Sequence, residues 1–479
     1  MANPDHLAQL RAGTWNEWRV ANPTLAPDLI DAQLAGLDLQ GLDLSKAHMR
    51  GVDFSGAKLD GANLTRAILE SARLTNASFK EARLDYVQLD FLDLSHLDLS
   101  HASMHGVSLR GANLSHAILR HADLSQAQME SALFDGADLS GAVLKGASLR
   151  GGRFDEAVLR GIHAESATLD GVEFHDLNME GAVFAGAQAD NAQFKNCRLQ
   201  RADFRSCTLR AANFHSAALC EANFDQAQCE GASLSHSDLE RASFVRTNLS
   251  QADLRGSSLI GAVLDGCNLA GAQLAELDFR SPSLGRLSFA TANLRKAVFS
   301  RCELRATDFH EAILEEADLR HANLEGANLK GAILVDANAR HASFKQANLE
   351  GVIAQGADLS GTNLILVNAR NSKMIGADFR FADAVGIDLD HADIRWSDLR
   401  NADFTKANIA TAKLWGCKVH NTILPSSVGH LKLLLKLSQV FQIVGKRAEK
   451  SKQAREQKRI RQVAELVRQR EAERKRRAR

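Results

Sequence analysis

Ala62-Asn63-Leu64 and Ala322-Asn323-Leu324 are two copies of a five-residue unit that repeats without interruption from Leu34 to Leu424. Every residue whose number ends in 4 or 9 takes the same central position, which is nearly always Leu, Phe, Met, Ile or Val. A small residue, usually Ala, stands two positions earlier, and the other positions are mainly polar. Neither a helix nor a flat strand has a period of five, so the pattern predicts a repeat architecture. The departures at the centre are all small: Ala164, Ala189, Cys229, Ala339, Ala354, Ala369 and Ala384.

The unit, Ala-(Asp/Asn)-Leu-X-X, resembles the pentapeptide-repeat family over residues 34–424. The resemblance implies an all-β solenoid: a right-handed, quadrilateral parallel β-helix with one pentapeptide per side and four per coil. The phenylalanines independently indicate a coil of twenty residues. They recur at intervals of twenty, so in such a coil each ring would stack on the ring of the next coil, and aromatic stacking adds to burial. They form two columns, expected on opposite sides of the coil: Phe134, Phe154, Phe174, Phe194 and Phe214, and Phe184, Phe204, Phe224 and Phe244.

Residues 1–33 are predicted to form a helical N-terminal cap. A solenoid leaves backbone donors and acceptors unpaired at each end, so a cover prevents end-to-end association. Asn3-Pro4-Asp5 is typical of a helix start. The run around Trp15 and Trp18 is similar to what precedes many bacterial pentapeptide repeats, and a ligand site between the two rings is the less favoured interpretation. The expected apolar stripe comprises Leu7, Leu10, Trp15 and Trp18.

Two segments follow the β-helix predicted at 34–424. Residues 425–445 are predicted as an amphipathic helix, too short and too charged to span a bilayer. Residues 446–479 are predicted as a basic helical or disordered tail. Residues 425–479 hold 17 Lys and Arg against 5 Asp and Glu, in a chain with 58 of each, so a tail of net +12 follows a rod of net −12. The candidate binding residues in these segments are Leu433, Leu437, Phe441, Arg474, Lys475, Arg476 and Arg477.

A basic cluster of this kind is typical of binding to nucleic acid, an acidic protein or an anionic membrane. A solvated, fraying tail is an equally good interpretation. The apolar face of the 425–445 helix could instead pair two chains, so a homodimer through this helix is a further partner prediction. Its apolar face contains Leu433, Leu434, Leu437, Val440, Phe441 and Val444.

The seven cysteines fit the repeat rather than a metal or disulfide framework. Cys229 takes a central position, Cys220 falls at a corner, and no Cys-X-X-Cys pair exists. Buried cysteine behaves as a small hydrophobe, so core packing is favoured and no metal or cofactor site is expected. The other five take the small inward position: Cys197, Cys207, Cys267, Cys302 and Cys417.

Two places depart from the rule of a small inward residue. Val87, Leu92 and Leu97 are bulky in three successive repeats, and so are Leu277, Pro282 and Leu287. Pro282 also lacks a backbone donor for the ladder. A local bulge or change of twist is the favoured interpretation, and a kink that shapes a binding surface is the alternative.

Near the C-terminal end of the repeat, apolar residues replace polar ones at the corners. An exposed apolar surface of this kind marks an interaction site, with local drift in a tolerant repeat as an equal alternative. A column of arginines is expected beside it as a basic edge. The apolar candidates are Val335, Ile365, Leu366, Ile375, Phe381, Val385, Trp396 and Trp415, and the basic ones are Arg320, Arg340, Arg380 and Arg400.

The chain gives no support for catalysis, because Gly, His and Asp follow the repeat along corners and sides rather than converging. The favoured function is a non-enzymatic, rigid scaffold that binds a protein partner. The first alternative, implied by resemblance to quinolone-resistance members, is a DNA mimic acting on a type II topoisomerase such as gyrase. The second is a tether to anionic membrane or nucleic acid through the tail. No signal peptide is visible, so a cytoplasmic location is expected.

Overall fold

The computed structural model of the protein describes residues 2–284 and 287–426. Two short helices come first: α1 is Pro4–Ala12 and α2 is Trp15–Ala21. The Asn3 side chain accepts the Asp5 backbone N–H at 2.9 Å and so caps α1, which ends at the left-handed Gly13. Neither helix within the described ranges is long and apolar enough to cross a lipid bilayer.

From Asp28 onward the chain is a solenoid in which the bridging residue of each side pairs with the residue twenty positions later through a parallel bridge. The first bridge joins Asp28 to His48 and the last joins Asp403 to Ile423. The twenty-residue coil is therefore confirmed, and the ladder begins one repeat before the boundary predicted at 34. Each side contributes one bridging residue between two corners, so the sides are too short to become regular strands.

Nearly every described corner turns on a residue in the left-handed region two positions after the central residue, and Ser281 and Thr411 are the exceptions. Glycine adopts this conformation freely, but many corners use other residues, among them His116 (φ 58°) and Trp396 (φ 65°). Each such residue costs about 1 kcal/mol of strain. The ladder offsets this strain: Leu324 donates its N–H to Ser343 at 2.7 Å, and Ser343 donates to Ala322 at 2.9 Å.

Four sides and four edges define positions on the solenoid, and each recurs every twenty residues. Side A contains 382–384, side B 387–389, side C 392–394 and side D 397–399. The A–B edge contains 385–386, the B–C edge 390–391, the C–D edge 395–396 and the D–A edge 400–401.

The phenylalanine columns fill the core as predicted. Phe194 and Phe214 stack with ring centroids 4.8 Å apart, and Phe204 and Phe224 stack at 4.9 Å. The two columns also contact each other edge to face, as between Phe204 and Phe214 at 5.4 Å. A second block of the same kind, not predicted from the sequence, is formed by Phe279, Phe289, Phe299 and Phe309.

Polar groups at the small inward position find partners one coil back. The Cys207 thiol donates to the Phe184 carbonyl at 2.9 Å, and the Thr247 hydroxyl donates to the Phe224 carbonyl at 2.7 Å. Burial raises the pKa of the Cys207 thiol to about 12. Six of the seven cysteines are buried and all are free, which confirms that these six pack in the core.

The two bulky stretches behave differently. Val87 and Leu97 are buried, and the bridge from Gln88 to Ser108 continues through their coil. Around Pro282 the backbone bends, and Gly261 donates its N–H to the Ser281 hydroxyl at 2.9 Å, where neighbouring coils use a backbone carbonyl. The irregularity follows from proline, which cannot donate to the ladder.

Helix α2 packs on the first coils. Trp15 is fully buried and donates its indole N–H to the Asp43 carbonyl at 2.8 Å. Buried Arg19 reaches the Leu25 carbonyl at 2.7 Å and the Asp43 carboxylate at 3.3 Å. The helices are therefore fixed to the solenoid by an apolar anchor and a hydrogen-bonded guanidinium.

Candidate interaction surface

Large side chains at the left-handed corners lie over the corner of the next coil. The Trp396 ring lies directly over Gly416, and a Cβ at that glycine would collide with the ring. In the same way, a Cβ at Gly386 would come within 2.9 Å of Leu366. The glycine one coil later therefore makes room for a flat, outward-facing apolar side chain.

One such cluster lies at the C-terminal end of the described solenoid. Trp396 and Trp415 share the C–D edge, with ring centroids 4.3 Å apart and planes at 73°. Both remain exposed, Trp415 to 63%. Phe381 lies across side D on the D–A edge and is 64% exposed. Two edges of side D thus present aromatic rings on a rigid backbone, and we call these three residues the aromatic rim.

The arginines predicted as a basic edge lie on the D–A edge, but each is paired with an aspartate on side D. Arg380 Nη2 lies 2.6 Å from Asp378 Oδ2, and Arg400 Nη2 lies 2.7 Å from Asp398 Oδ2. Arg320 pairs in the same way with Asp318 at 2.7 Å. The guanidinium hydrogen bond is the main cause that lowers the pKa of Asp318.

Arg340 differs, because it contacts the next coil through Asp358 at 3.7 Å. The arginine column is therefore largely neutralised by its own carboxylates. Side D between the two rows of the aromatic rim is an ion-paired surface rather than a basic one.

The remaining apolar candidates are not brought together with the aromatic rim. Leu366 is exposed on the A–B edge, where Ile365 and Val385 are half-buried. Ile375 is half-buried on the C–D edge. Val335, predicted to be exposed, is only 3% exposed and belongs with Ile313 and Ile333 to a separate apolar cluster on the outside of the solenoid.

One coil near the N-terminal end carries a ring at every edge, which the sequence analysis missed. Tyr86, Phe91, His96 and His101 occupy its four successive left-handed corners. Tyr86 and Phe91 lie over Gly106 and Gly111, and the two histidines stack on His116 and His121 at 5.0 and 5.2 Å. The sequence signal that could have revealed these rings is the glycine or histidine found twenty residues after each of them.

The tail candidates Leu433, Leu437, Phe441, Arg474, Lys475, Arg476 and Arg477 lie outside the described residues. Within 2–284 and 287–426, no group of three or more His, Cys, Asp or Glu side chains could hold a metal ion.

The bridges, corners and core together define a single-layer, four-sided parallel β-solenoid. Family models identify which solenoid it is. The model described as pentapeptide repeats matches residues 28–161, 312–351 and 355–424, and a second model, a pentapeptide repeat region, matches 159–309. The chain belongs to the pentapeptide-repeat family.

Several solved structures are similar to the chain. HetL, a pentapeptide repeat protein involved in heterocyst differentiation regulation in the cyanobacterium Nostoc sp. strain PCC 7120, is 26% identical over 56% of this chain and 96% of its own, with a TM-score of 0.21. QnrB1, a plasmid-mediated fluoroquinolone resistance protein, is 22% identical over 46% of this chain and 93% of its own, with a TM-score of 0.28.

Rfr23 from the cyanobacterium Cyanothece 51142 is 21% identical over 34% of this chain and 90% of its own, with a TM-score of 0.18. A search of curated proteins gave no match.

Proposed function

We propose that the protein is a non-enzymatic, rigid scaffold that binds a protein partner through side D near its C-terminal end. The observation that carries the proposal is the aromatic rim: Trp396, Trp415 and Phe381 are exposed on two edges of one side. Exposed aromatic residues are the side chains that most often dominate protein interfaces.

The rigidity of the surface favours binding. Trp396 is held by a left-handed backbone, by the ring of Trp415 and by Gly416 beneath it. Such a side chain loses little conformational freedom when a partner covers it. In the Asp378–Arg380 and Asp398–Arg400 pairs between the rings the arginine side chains are 42% exposed, and their guanidinium groups would supply hydrogen bonds around the apolar anchors.

The test compares two matched double variants in affinity capture from the native host. Trp396→Ala/Trp415→Ala removes both tryptophans of the rim, while Tyr86→Ala/Phe91→Ala removes two exposed rings from the N-terminal coil. A partner of side D should be lost with the first variant and retained with the second. With the purified partner, loss of one tryptophan anchor should weaken binding by about 30-fold, the effect of roughly 2 kcal/mol. Equal retention by both variants contradicts the proposal.

The second candidate, imitation of duplex DNA toward a topoisomerase such as gyrase, is supported by the net −12 outside residues 425–479. The charge is sparse beside DNA, which carries one charge per roughly 1.7 Å. Pairs such as Asp318–Arg320 neutralise it further. Inhibition of gyrase supercoiling by the purified protein, weakened by added salt and unaffected by Trp396→Ala/Trp415→Ala, would favour this function instead.

Attachment of the basic tail to anionic lipid or nucleic acid is the third proposal. It predicts binding to anionic vesicles or DNA that disappears when residues 446–479 are removed. A cytoplasmic location fits all three proposals, because each partner class occurs there.

A further inference from the structure

An apolar stripe on the outside of the solenoid lies apart from the core and is buried except at Ile353, which is half-buried. Ile313, Ile333 and Ile353 occupy the outward position of side C in three successive coils, and Val335 adjoins them on the C–D edge. Ile313 is 2% exposed and Ile333 is 1% exposed. We call these four residues the outer stripe.

Outward isoleucines on other sides of the solenoid, Ile68 on side B and Ile118 on side D, are far more exposed. Ile68 is 43% exposed and Ile118 is 37% exposed. Stacking between isoleucines does not account for the difference, because Ile313 follows Asn293 in its column and has an isoleucine on one side only. An outward side chain in a single-layer solenoid loses nearly all contact with water only when something packs over it.

The carboxylate beside the stripe is also removed from water. Glu315 lies on the C–D edge two residues after Ile313, and burial raises the pKa of its carboxyl group, although Arg295 at 3.5 Å acts in the opposite direction. The aspartates of side D, such as Asp318, have pKa values shifted down instead. A shielded carboxylate next to the stripe fits an occupant that carries basic residues.

We infer that residues 427–444 of this same chain occupy the outer stripe. The described chain ends at Ser426 on the A–B edge of the last coil. Ile333 lies about 4.5 coils below that end, or roughly 22 Å at the normal strand spacing. Eighteen residues span about 27 Å as a helix, so the segment is long enough to cross side B and descend along side C.

The chemistry of the segment matches the stripe. Leu433, Leu437 and Phe441 share the apolar face predicted for it, and Lys432 and Lys436 lie off that face. Leucines against the isoleucines of the stripe would bury both surfaces. The flanking lysines would lie near the shielded Glu315 carboxylate.

This contact separates two functions of the C-terminal end. The segment covers side C, while the aromatic rim on side D stays exposed for a partner. The basic residues from Lys446 onward then leave the solenoid beside Ile313 instead of beyond its last coil. The inference does not depend on the proposed function, because it concerns a different side.

Limited trypsin digestion of the full chain tests the contact. Lys432 and Lys436 report on the segment, and Arg474–Arg477 serve as the internal reference for unprotected sites. In the native protein, cleavage at Lys432 and Lys436 should be at least about tenfold slower than at the reference sites, because it requires local release. Equal cleavage rates would overturn the inference.

Two matched variants assign the protection to the stripe. Ile333→Asp should raise cleavage at Lys432 and Lys436 by about tenfold or more, because a charge would replace a buried side chain. Ile118→Asp, the same change at an outward position that is already solvated, should leave both rates unchanged. Equal effects of the two variants overturn the inference, and heat unfolding of both verifies that the solenoid is intact.

A third variant changes the C-terminal segment instead of the outer stripe. Phe441→Asp/Val444→Asp leaves the solenoid and the residues beside Lys432 and Lys436 untouched, and it should remove the protection as Ile333→Asp does. This variant tests the contact even if Ile333→Asp unfolds the solenoid. Light scattering then identifies the occupant. Protection that persists in a monomer supports docking within one chain, and protection confined to a dimer assigns the stripe to a second copy and overturns the inference.

Discussion

At the residue scale, Phe194 is surrounded by four other aromatic rings in the described core. It stacks on Phe174 and Phe214 and meets Phe184 and Phe204 edge to face. Phe194→Ala should cost about 3–5 kcal/mol, because a cavity remains and four ring contacts disappear.

Phe54 is the control, since it is equally buried but has Leu34 and Leu74 at the neighbouring positions of its column. Phe54→Ala should lie at the lower end of that range. Chemical denaturation measures both, and a smaller loss at Phe194 than at Phe54 would show that the columns add nothing to simple burial.

Gly416 illustrates how one residue sets the geometry of the surface. Gly416 and Gly376 both lie on the C–D edge with positive φ, at 79° and 71°. A Cβ at Gly416 collides with Trp396, whereas one at Gly376 meets nothing within 4 Å. Both alanine variants carry the strain of a left-handed residue, about 1 kcal/mol. Only Gly416→Ala should displace the indole and change tryptophan fluorescence, and an identical spectrum in both variants contradicts this account.

At the element scale, Trp15 is the apolar anchor that holds α2 to the first coils. Trp15→Ala removes a fully buried ring and its hydrogen bond to Asp43. It should release the helices and uncover the open ladder, so the chain should associate end to end as concentration rises. Val20→Ala is the control in the same helix, because Val20 is exposed. Sedimentation measures the association, and a monomeric Trp15→Ala variant would leave the helices without a covering role.

At the scale of the whole molecule, the ladder fixes a long, narrow body. Bridges from Asp28 to Ile423 comprise about twenty coils, which at the normal strand spacing give a length of roughly 95 Å. Small-angle X-ray scattering should therefore show a maximum dimension near this value or above it, with the cross-section of a thin rod. A compact particle of the same mass would be incompatible with the ladder.

The sequence by itself determined the coil and its core. A five-residue period with an apolar centre permits no helix or flat strand, and phenylalanines twenty residues apart, such as Phe174 and Phe194, set four units per coil. The same register placed residues such as Cys207 in the core. In a strict repeat, equivalent positions of every unit have the same surroundings, so the position within the unit is enough to predict burial.

Only the tertiary structure decided how the outer surface is used. The repeat shows which residues point outward but not how exposed they are. Val335 and Trp415 therefore looked alike in the sequence, although Val335 is buried and Trp415 is exposed. The arginine column looked basic until the aspartates two residues earlier were placed beside it, as Asp398 is beside Arg400. Exposure and pairing on the outside depend on what lies across an edge or over a side, and those neighbours come from other coils.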